Sequence, residues 1–240
     1  MKPLVCVLLV ASRLGAASTS SAPSLIPGNG NSLSTPMQIL LLMTALTLLP
    51  AIIMSVTPFL RISIVLHFLR QALGTQATPS NQVLTGLALF LTLVLVQPMA
   101  SQIYTEAWVP MDSGTMSAMQ AYDAASKPLK TYLSHYVREK DVALFVGLTH
   151  APAPHKVDDL DLEVLAPAYI LCEMRAGFQI GAVIYLPFLL IDIVVASVTL
   201  SIGMVQLPPA MVSAPFKILL FVLVDGWNLT IGSLMKSFVT

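Results

Sequence analysis

Long apolar stretches separated by short polar segments dominate the chain. Four of the stretches are long enough to cross a bilayer as helices: residues 37–56, 83–99, 177–205 and 210–238. A spanning helix needs about 17–25 mostly apolar residues. Prolines inside the stretches predict kinks, at Pro50, Pro187 and Pro215. The pattern predicts an all-α integral membrane or assembly protein of kinked helical hairpins, with a small polar helical domain outside the apolar layer.

The first residues have the composition of a secretory signal peptide. In residues 1–22 a short apolar run, 4–10, follows a basic start and precedes small residues. Cleavage after Ala17 or after Ala22 fits this pattern. Residues 23–36 are rich in Ser, Pro, Gly and Asn, which predicts a flexible exported tail.

Charge predicts the orientation of the first hairpin, residues 37–99. Its connecting segment, 57–82, carries Arg61, Arg70 and a histidine but no acid. Basic connections between spans remain in the cytoplasm. The segment 57–82 is therefore expected on the cytoplasmic side, and the chain's start on the outer side. This orientation agrees with a signal peptide.

The middle of the chain is much more polar than the rest. Residues 100–166 contain nine of the twelve acids and five of the twelve bases. One helical face is marked by residues at a spacing of three to four: Leu129, Tyr132, Leu133 and Tyr136. We expect a polar helical region facing the periplasm here. Residues 167–240 then predict a second helical hairpin.

Overall composition excludes several classes of function. Only 10% of the residues are charged, against roughly a quarter in ordinary soluble domains. The net charge is zero and no basic run occurs, which argues against a nucleic-acid partner. The chain lacks the usual hydrolase and nucleotide-binding motifs, and its four histidines have no metal-ligand spacing. We therefore expect no enzyme activity and no cofactor or metal.

Three charges lie inside the last two apolar stretches: Asp192, Lys217 and Asp225. A lone charge at mid-bilayer costs roughly 3 kcal/mol, so each needs a partner, a cavity or a protein interface. Counted from the turn, Asp192 lies at about 22 Å, between Lys217 at about 15 Å and Asp225 at about 27 Å. Lys217 could reach Asp192 across the hairpin or an acid of a neighbouring copy. A structural ion pair is favoured over a proton or ion relay, because a relay usually has more titratable groups.

Two glycines precede these charges. Gly177 and Gly181 have the G-x-x-x-G spacing that lets another helix approach closely. We treat both as candidate helix-packing residues.

Three blocks of sequence closely resemble the FliP family, the P subunit of the flagellar type III export gate. The blocks are TPFLRISIVLHFLRQALGTQATPSNQVLTGLALFLT at 57–92, PAYILCEMRAGFQIG at 167–181 with PFLLIDIVVAS at 187–197, and PFKILLFVLVDGW at 215–227. Together they cover most of residues 37–235. Arg61, Arg70 and the three hairpin charges lie within these blocks, and we expect them to act in buried charge pairing or assembly.

The resemblance implies a function and a set of partners. Members of this family assemble as a pentamer with Q and R subunits, beside other membrane proteins of the export apparatus. The assembly passes unfolded flagellar proteins out of the cytoplasm, in the basal body at the bacterial inner membrane. The resemblance also implies that the apparent spans can pack on neighbouring subunits rather than on lipid.

The loop of the last hairpin departs from the family's pattern. Members carry a methionine-rich loop resembling G-M-M-M-V-P-P, which seals the pore as a gasket; flexible methionine suits such a seal. Residues 203–209 here form the corresponding loop. Its first five residues are the candidate pore gate: Gly203, Met204, Val205, Gln206 and Leu207. Three outcomes stay open: an apolar gasket, a partly hydrogen-bonded Gln206 ring, or a leakier gate.

A rival from another class is an ion-coupled membrane carrier that uses Asp192, Lys217 and Asp225 as its translocation site. An intramembrane hydrolase is set aside, because the chain offers no nucleophile–base pair.

Overall fold

The computed structural model describes residues 34–75, 78–149, 160–204 and 208–238, and all regular structure in these ranges is helical. The predicted signal peptide, most of the predicted tail and Val205–Leu207 lie outside the described residues. The helices are α1 Thr35–Val56, α2 Phe59–Ala72, α3 Asn81–Ile103, a π-helical turn Tyr104–Trp108, α4 Val109–Asp112, α5 Ala118–Tyr136, α6 Glu139–Thr149, α7 Leu162–Ser201, α8 Pro209–Leu223 and α9 Gly226–Lys236. The predicted all-α class is confirmed.

The chain divides into two units, residues 1–51 and 52–240. In the first unit, every side chain from Pro36 to Ala51 is exposed. Apolar residues surround this part of α1 on all sides, so it has no polar face to present to water. A helix of this kind needs lipid or another protein around it.

The second unit is built around α7, a helix of 40 residues. Helices α2, α5, α6 and α8 pack against it, and α3 packs against α2. The apolar face of α2 is buried: Ile62 and Leu66 contact α3 and α9 residues, and Leu69 meets Phe188 of α7. This core brings the α2 side chains against the middle of α7.

The polar region adds its own cluster to α7. Leu133 is fully buried together with Leu165 and Tyr169 of α7, and the tyrosines of α5 pack at their edge. Helix α5 begins with a capping box, in which Ser117 and Gln120 satisfy each other's backbone N–H groups. The predicted amphipathic face of α5 therefore rests on α7.

The last apolar stretch is not one helix. Helices α8 and α9 are joined at Val224–Asp225 with a bend of 67°. Asp225 has φ 51°, a left-handed conformation that ends α8 and cannot continue a helix.

By length and composition, three of the described helical segments can cross a membrane: Pro36–Val56, Asn81–Asp112 and Leu162–Ser201. The bent pair α8–α9 makes a fourth if it is one span. The chain is an all-α membrane protein.

Candidate functional site

The hairpin formed by α7 and α8 contains a buried ion pair. Lys217 Nζ donates to Asp192 Oδ2 over 2.6 Å. Ser213, one turn before Lys217, donates its hydroxyl to Asp192 Oδ1 over 2.6 Å. Both carboxylate oxygens are thus satisfied by α8. The expected reach across the hairpin is present, with Asp192 as the partner of Lys217.

The two sides of this pair differ in exposure. The Lys217 side chain is 4% exposed, whereas that of Asp192 is 28% exposed. Ser213 is fully buried. The ammonium group is therefore enclosed by the chain itself, while one side of the carboxylate remains open. The open side of the Asp192 carboxylate faces the outside of the subunit.

Asp225, the third predicted charge, has a different environment. It is exposed, lies at the bend between α8 and α9, and accepts a hydrogen bond from the amide of Asn228 over 3.2 Å. Because its backbone is left-handed, Asp225 ends the helix at this point. The structure does not bring it into the Asp192–Lys217 network.

The predicted gate loop begins with a helix stop. Gly203 has φ +83°, its N–H bonds to the carbonyl of Leu200, and the N–H of Met204 bonds to the carbonyl of Thr199. This is a Schellman motif, which needs a left-handed residue after the helix, and glycine takes that conformation freely. Met204 is 43% exposed. Val205, Gln206 and Leu207 lie outside the described residues.

A second ion pair joins α2 to α7. Arg61 and Glu173 meet in a two-pronged contact: Nε to Oε2 at 2.9 Å and Nη2 to Oε1 at 2.5 Å. The side chains are 7% and 0% exposed. Planar two-pronged pairing suits arginine and carboxylate and fixes their relative orientation. This pair sets how α2 lies on α7.

Arg61 is covered by Ser237 and Phe238. Its Nη1 donates to the carbonyl of Ser237 over 3.2 Å, and its guanidinium lies 4.0 Å from the ring centre of Phe238. The hydroxyl of Tyr136 donates to the carbonyl of Phe238 over 3.0 Å. Burial raises the pKa of Tyr136, so the phenol keeps the proton that it donates. Three distant segments therefore meet at one arginine.

Glu173 is the residue that the sequence analysis missed. It is the only one of the twelve acids, besides Asp192 and Asp225, that lies outside residues 100–166. The cost of a lone charge in an apolar stretch, applied above to Asp192, applies equally to Glu173. That signal predicts a buried partner for it, although Arg61 as the partner follows only from the packing of α2.

Arg70 and the two glycines hold α2 in place. Arg70 Nη1 donates to the side chain of Asn81 and, over 3.4 Å, to the carbonyl of Pro79, which ties the end of α2 to the start of α3. A Cβ at Gly177 would lie 3.1 Å from the Cβ of Ile64, and one at Gly181 would lie 2.6 Å from Cγ of Phe68. Helix α2 therefore lies directly against both glycines.

Among the residues that the structure describes, no group of three or more His, Cys, Asp and Glu side chains could hold a metal ion. The two ion pairs are saturated by hydrogen bonds from their own neighbours. Arg61–Glu173 joins α2 to α7, and Asp192–Lys217 joins α7 to α8.

Comparison with known proteins identifies the chain's relatives. The FliP family model matches residues 42–234. A flagellar biosynthetic protein FliP of Bacillus subtilis is 47% identical over 85% of this chain and 93% of its own length. Those of Pectobacterium carotovorum and Caulobacter vibrioides are 44% and 42% identical, over 89% and 98% of this chain and 83% and 87% of their own lengths. The chain belongs to the FliP family of flagellar biosynthetic proteins.

Proposed function

We propose that this chain is a pore-forming core subunit of the flagellar type III export gate, through which unfolded flagellar proteins leave the cytoplasm. Several copies, five by the resemblance, assemble with Q and R subunits and contact other membrane proteins of the export apparatus. The assembly belongs to the basal body at the inner membrane, with residues 100–166 facing the periplasm. Loop 203–209 contributes the gate. Energy comes from partners, because the chain has no nucleotide-binding motif.

The observation that carries this proposal is the large apolar surface of the α7–α8 hairpin. Twelve large apolar side chains there are more than half exposed: Val183, Leu186, Leu190, Ile193, Val194, Val198, Leu200, Met211, Phe216, Leu219, Val222 and Leu223. In a membrane protein, apolar side chains of this kind are covered either by lipid or by another subunit. The surface runs along both helices that lead to the predicted gate loop, so neighbouring subunits that cover it would also encircle the loop.

A groove next to the ion pair supports the same assignment. Five apolar side chains line it, with a volume of about 300 Å³: Leu190, Ile191, Val194, Val195 and Phe216. Two of its lining residues, Ile191 and Phe216, are the chain neighbours of Asp192 and Lys217. An apolar side chain from a neighbouring copy would fill the groove and complete the burial of the ion pair.

The test is the mass of the full chain purified in detergent, alone and co-expressed with its Q and R neighbours. A ring-sized homo-oligomer that gains mass with those partners is expected. A monomer or dimer that is indifferent to them would contradict the proposal, since the apolar hairpin surface would then face only lipid or detergent.

The ion-coupled carrier remains the second candidate, because Asp192 is partly open and its partner Lys217 is buried. The Asp192→Asn variant distinguishes the two candidate functions. A carrier would lose transport while its assembly stays normal. A gate subunit would either assemble poorly or change little in export, since the pair then serves only to hold the hairpin. Asp225→Asn is the matched control, because Asp225 is outside the network.

A further inference from the structure

Helix α6 is attached to the rest of the second unit in an unusual way. Among its residues, Asp141 is the one whose side chain is buried, at 4% exposure. The apolar side chains on its inner side, Val142, Phe145 and Val146, are only partly buried against α5 and α7. The best-buried contact of this helix is therefore a carboxylate in its first turn.

The carboxylate of Asp141 belongs to a small polar cluster on α7. The Sγ of Cys172 donates to Asp141 Oδ2 over 2.9 Å, and the backbone N–H of Arg138 donates to the same sulfur over 3.4 Å. Nη2 of Arg175, one turn further along α7, lies 3.6 Å from Asp141 Oδ1. Cys172 is 5% exposed. We call this set of contacts the Asp141 clasp; it attaches the start of α6 to one turn of α7.

The other helices that pack against α7 are held by apolar side chains. Leu69 of α2, Leu133 of α5 and Phe221 of α8 are all buried in clusters that include α7 residues. Helix α6, every residue of which the structure describes, buries no large apolar side chain to this extent. Segments with few buried apolar contacts open locally at a lower free energy than the core does. Helix α6 is thus the most weakly held of the four.

The connection between α5 and α6 is suited to act as a hinge. Helix α5 ends at Tyr136, and Val137 has an extended backbone, with φ −85° and ψ 139°. The helical hydrogen bonds of α6 begin with the carbonyl of Arg138. Hinges are commonly a few residues at the ends of regular elements, which absorb the change in backbone angles. A rotation at 137–138 moves α6 without changing α5.

We propose that α6 opens away from α7 as a unit while the rest of the second unit stays folded, with the Asp141 clasp as its latch and residues 137–138 as its hinge. Opening uncovers the sulfur of Cys172, because both polar groups that contact it, the Asp141 carboxylate and the Arg138 N–H, lie at the start of α6. The proposal goes beyond the export function and does not depend on it.

The rate at which Cys172 reacts with a water-soluble thiol reagent tests the opening. The chain has two cysteines, so Cys6→Ser leaves Cys172 as the single thiol. The full chain in detergent is mixed with excess 5,5′-dithiobis(2-nitrobenzoate), and the released thionitrobenzoate is followed by its absorbance. Local opening of one short helix exposes little surface, so the rate should hardly change with denaturant below the unfolding transition.

Two results of this series would overturn the proposal. A labelling rate that rises with denaturant as steeply as global unfolding would mean that α6 leaves α7 only when the whole unit unfolds. A rate as fast as in the fully denatured chain would mean that the clasp does not cover Cys172. Because the series needs no variant of the clasp itself, it stays decisive if such a variant fails to fold.

Variants then identify the latch. Asp141→Asn keeps the size of the side chain but removes its charge, so labelling should become about tenfold to a hundredfold faster, the usual contribution of a hydrogen bond to a charged group. Glu139→Gln is the matched control: it removes an exposed acid from the same first turn, and the helix dipole alone should change the rate by no more than about fivefold. Equal effects of the two variants would contradict the latch.

A remote variant separates local opening from global stability. In Gly181→Ala the new Cβ would lie 2.6 Å from Cγ of Phe68, which strains the contact of α2 with α7 rather than that of α6. The variant should unfold at a lower denaturant concentration and yet label Cys172 at the unaltered rate. Faster labelling in proportion to the lost stability would show that Cys172 reacts through global unfolding, and the proposed opening of α6 would be wrong.

Discussion

The two ion pairs of this molecule are built from the same chemistry but have different surroundings. Arg61 and Glu173 are enclosed by their own chain. The carbonyl of Ser237 accepts a further hydrogen bond from Arg61, the rings of Tyr136 and Phe238 lie near its guanidinium, and α2 packs against α7 around the pair. Asp192 and Lys217 are enclosed on one side only, and exposed apolar side chains flank the other. The first pair is complete within a single subunit. The second pair becomes fully buried only when something outside the subunit covers the open side of Asp192.

This difference suggests that the Arg61–Glu173 pair belongs to the fold of one subunit and that the Asp192–Lys217 pair belongs to assembly. Ordering and desolvating a buried ion pair is costly, and the cost is offset only when every donor and acceptor is satisfied. Arg61 and Glu173 meet that condition inside the monomer, without a partner subunit. Asp192 meets it with Lys217 and Ser213, yet its open side gains full burial only from outside. The predictions below test this contrast, from the largest expected effect to the smallest.

Removing the carboxylate of the enclosed pair should destabilise the monomer most. Glu173→Gln leaves Arg61 buried with an uncompensated charge, which costs about 3–5 kcal/mol of the free energy of unfolding. Denaturant unfolding of the full chain in detergent measures it. Glu163→Gln is the control, because Glu163 is exposed on the same helix and should change stability by less than about 0.5 kcal/mol.

Replacing both partners sharpens the result. The double variant Arg61→Met, Glu173→Leu should unfold at a denaturant concentration nearer the unaltered chain than Glu173→Gln does, because no unpaired charge remains. A double variant less stable than Glu173→Gln would mean that the pair matters for orienting α2 rather than for balancing charge.

The half-open pair should cost less in the monomer. Asp192→Asn removes the charge opposite Lys217 but keeps an oxygen for the Ser213 hydroxyl, so we expect a loss of about 1–3 kcal/mol. The same unfolding measurement applies, with Asp225→Asn as the control. A loss as large as that of Glu173→Gln would abolish the contrast between the two pairs.

The contact that positions the enclosed pair can be tested at Gly181. In Gly181→Ala the new Cβ would lie 2.6 Å from Cγ of Phe68, so the ring must move, and overpacking of this kind costs about 1–3 kcal/mol. Gly232→Ala is the matched control, since nothing lies within 4 Å of a Cβ there. That control should gain up to about 1 kcal/mol from helix propensity. Equal effects at both glycines would rule out close approach of α2 as the reason for Gly181.

Asp225 tests whether the third charge belongs to the half-open pair. Its φ of 51° strains a side-chain-bearing residue, so Asp225→Gly should raise the free energy of unfolding by about 0.5–1 kcal/mol. Asp225→Ala should lower it, because alanine avoids the left-handed region. Destabilisation by glycine would show that the carboxylate, not the backbone, is what matters at this bend.

The smallest effect is expected at the loop beyond the half-open pair. Gln206→Met restores a methionine of the family's pattern, and an apolar, flexible side chain should tighten the closed gate. The readout is small-ion leak through the reconstituted complex, with protein stability unchanged. The same leak in the variant and the unaltered protein would count against a sealing role for Gln206.

Much of the fold could be predicted from the order of the side chains. Local spacing along the chain determines three of these features, because a helix converts spacing directly into position. They are the segments of spanning length, the amphipathic faces of α2 and α5, and the reach of Lys217 to Asp192. The break at Asp225 was not predicted from spacing, although the Asp225–Gly226 dipeptide is a turn signal. A left-handed aspartate gives no periodic signal.

The sequence by itself determined that this protein is helical, belongs in a membrane, and carries charges that need partners, because hydrophobicity and charge are properties of each residue. Only the tertiary structure decided which partner each charge has. Glu173 meets Arg61, 112 positions away, because two glycines let α2 lie flat on α7. The same contact lets the chain's last residues close over the arginine. Pairings of this kind depend on how distant helices pack, and that packing is determined by many residues together rather than by any single one.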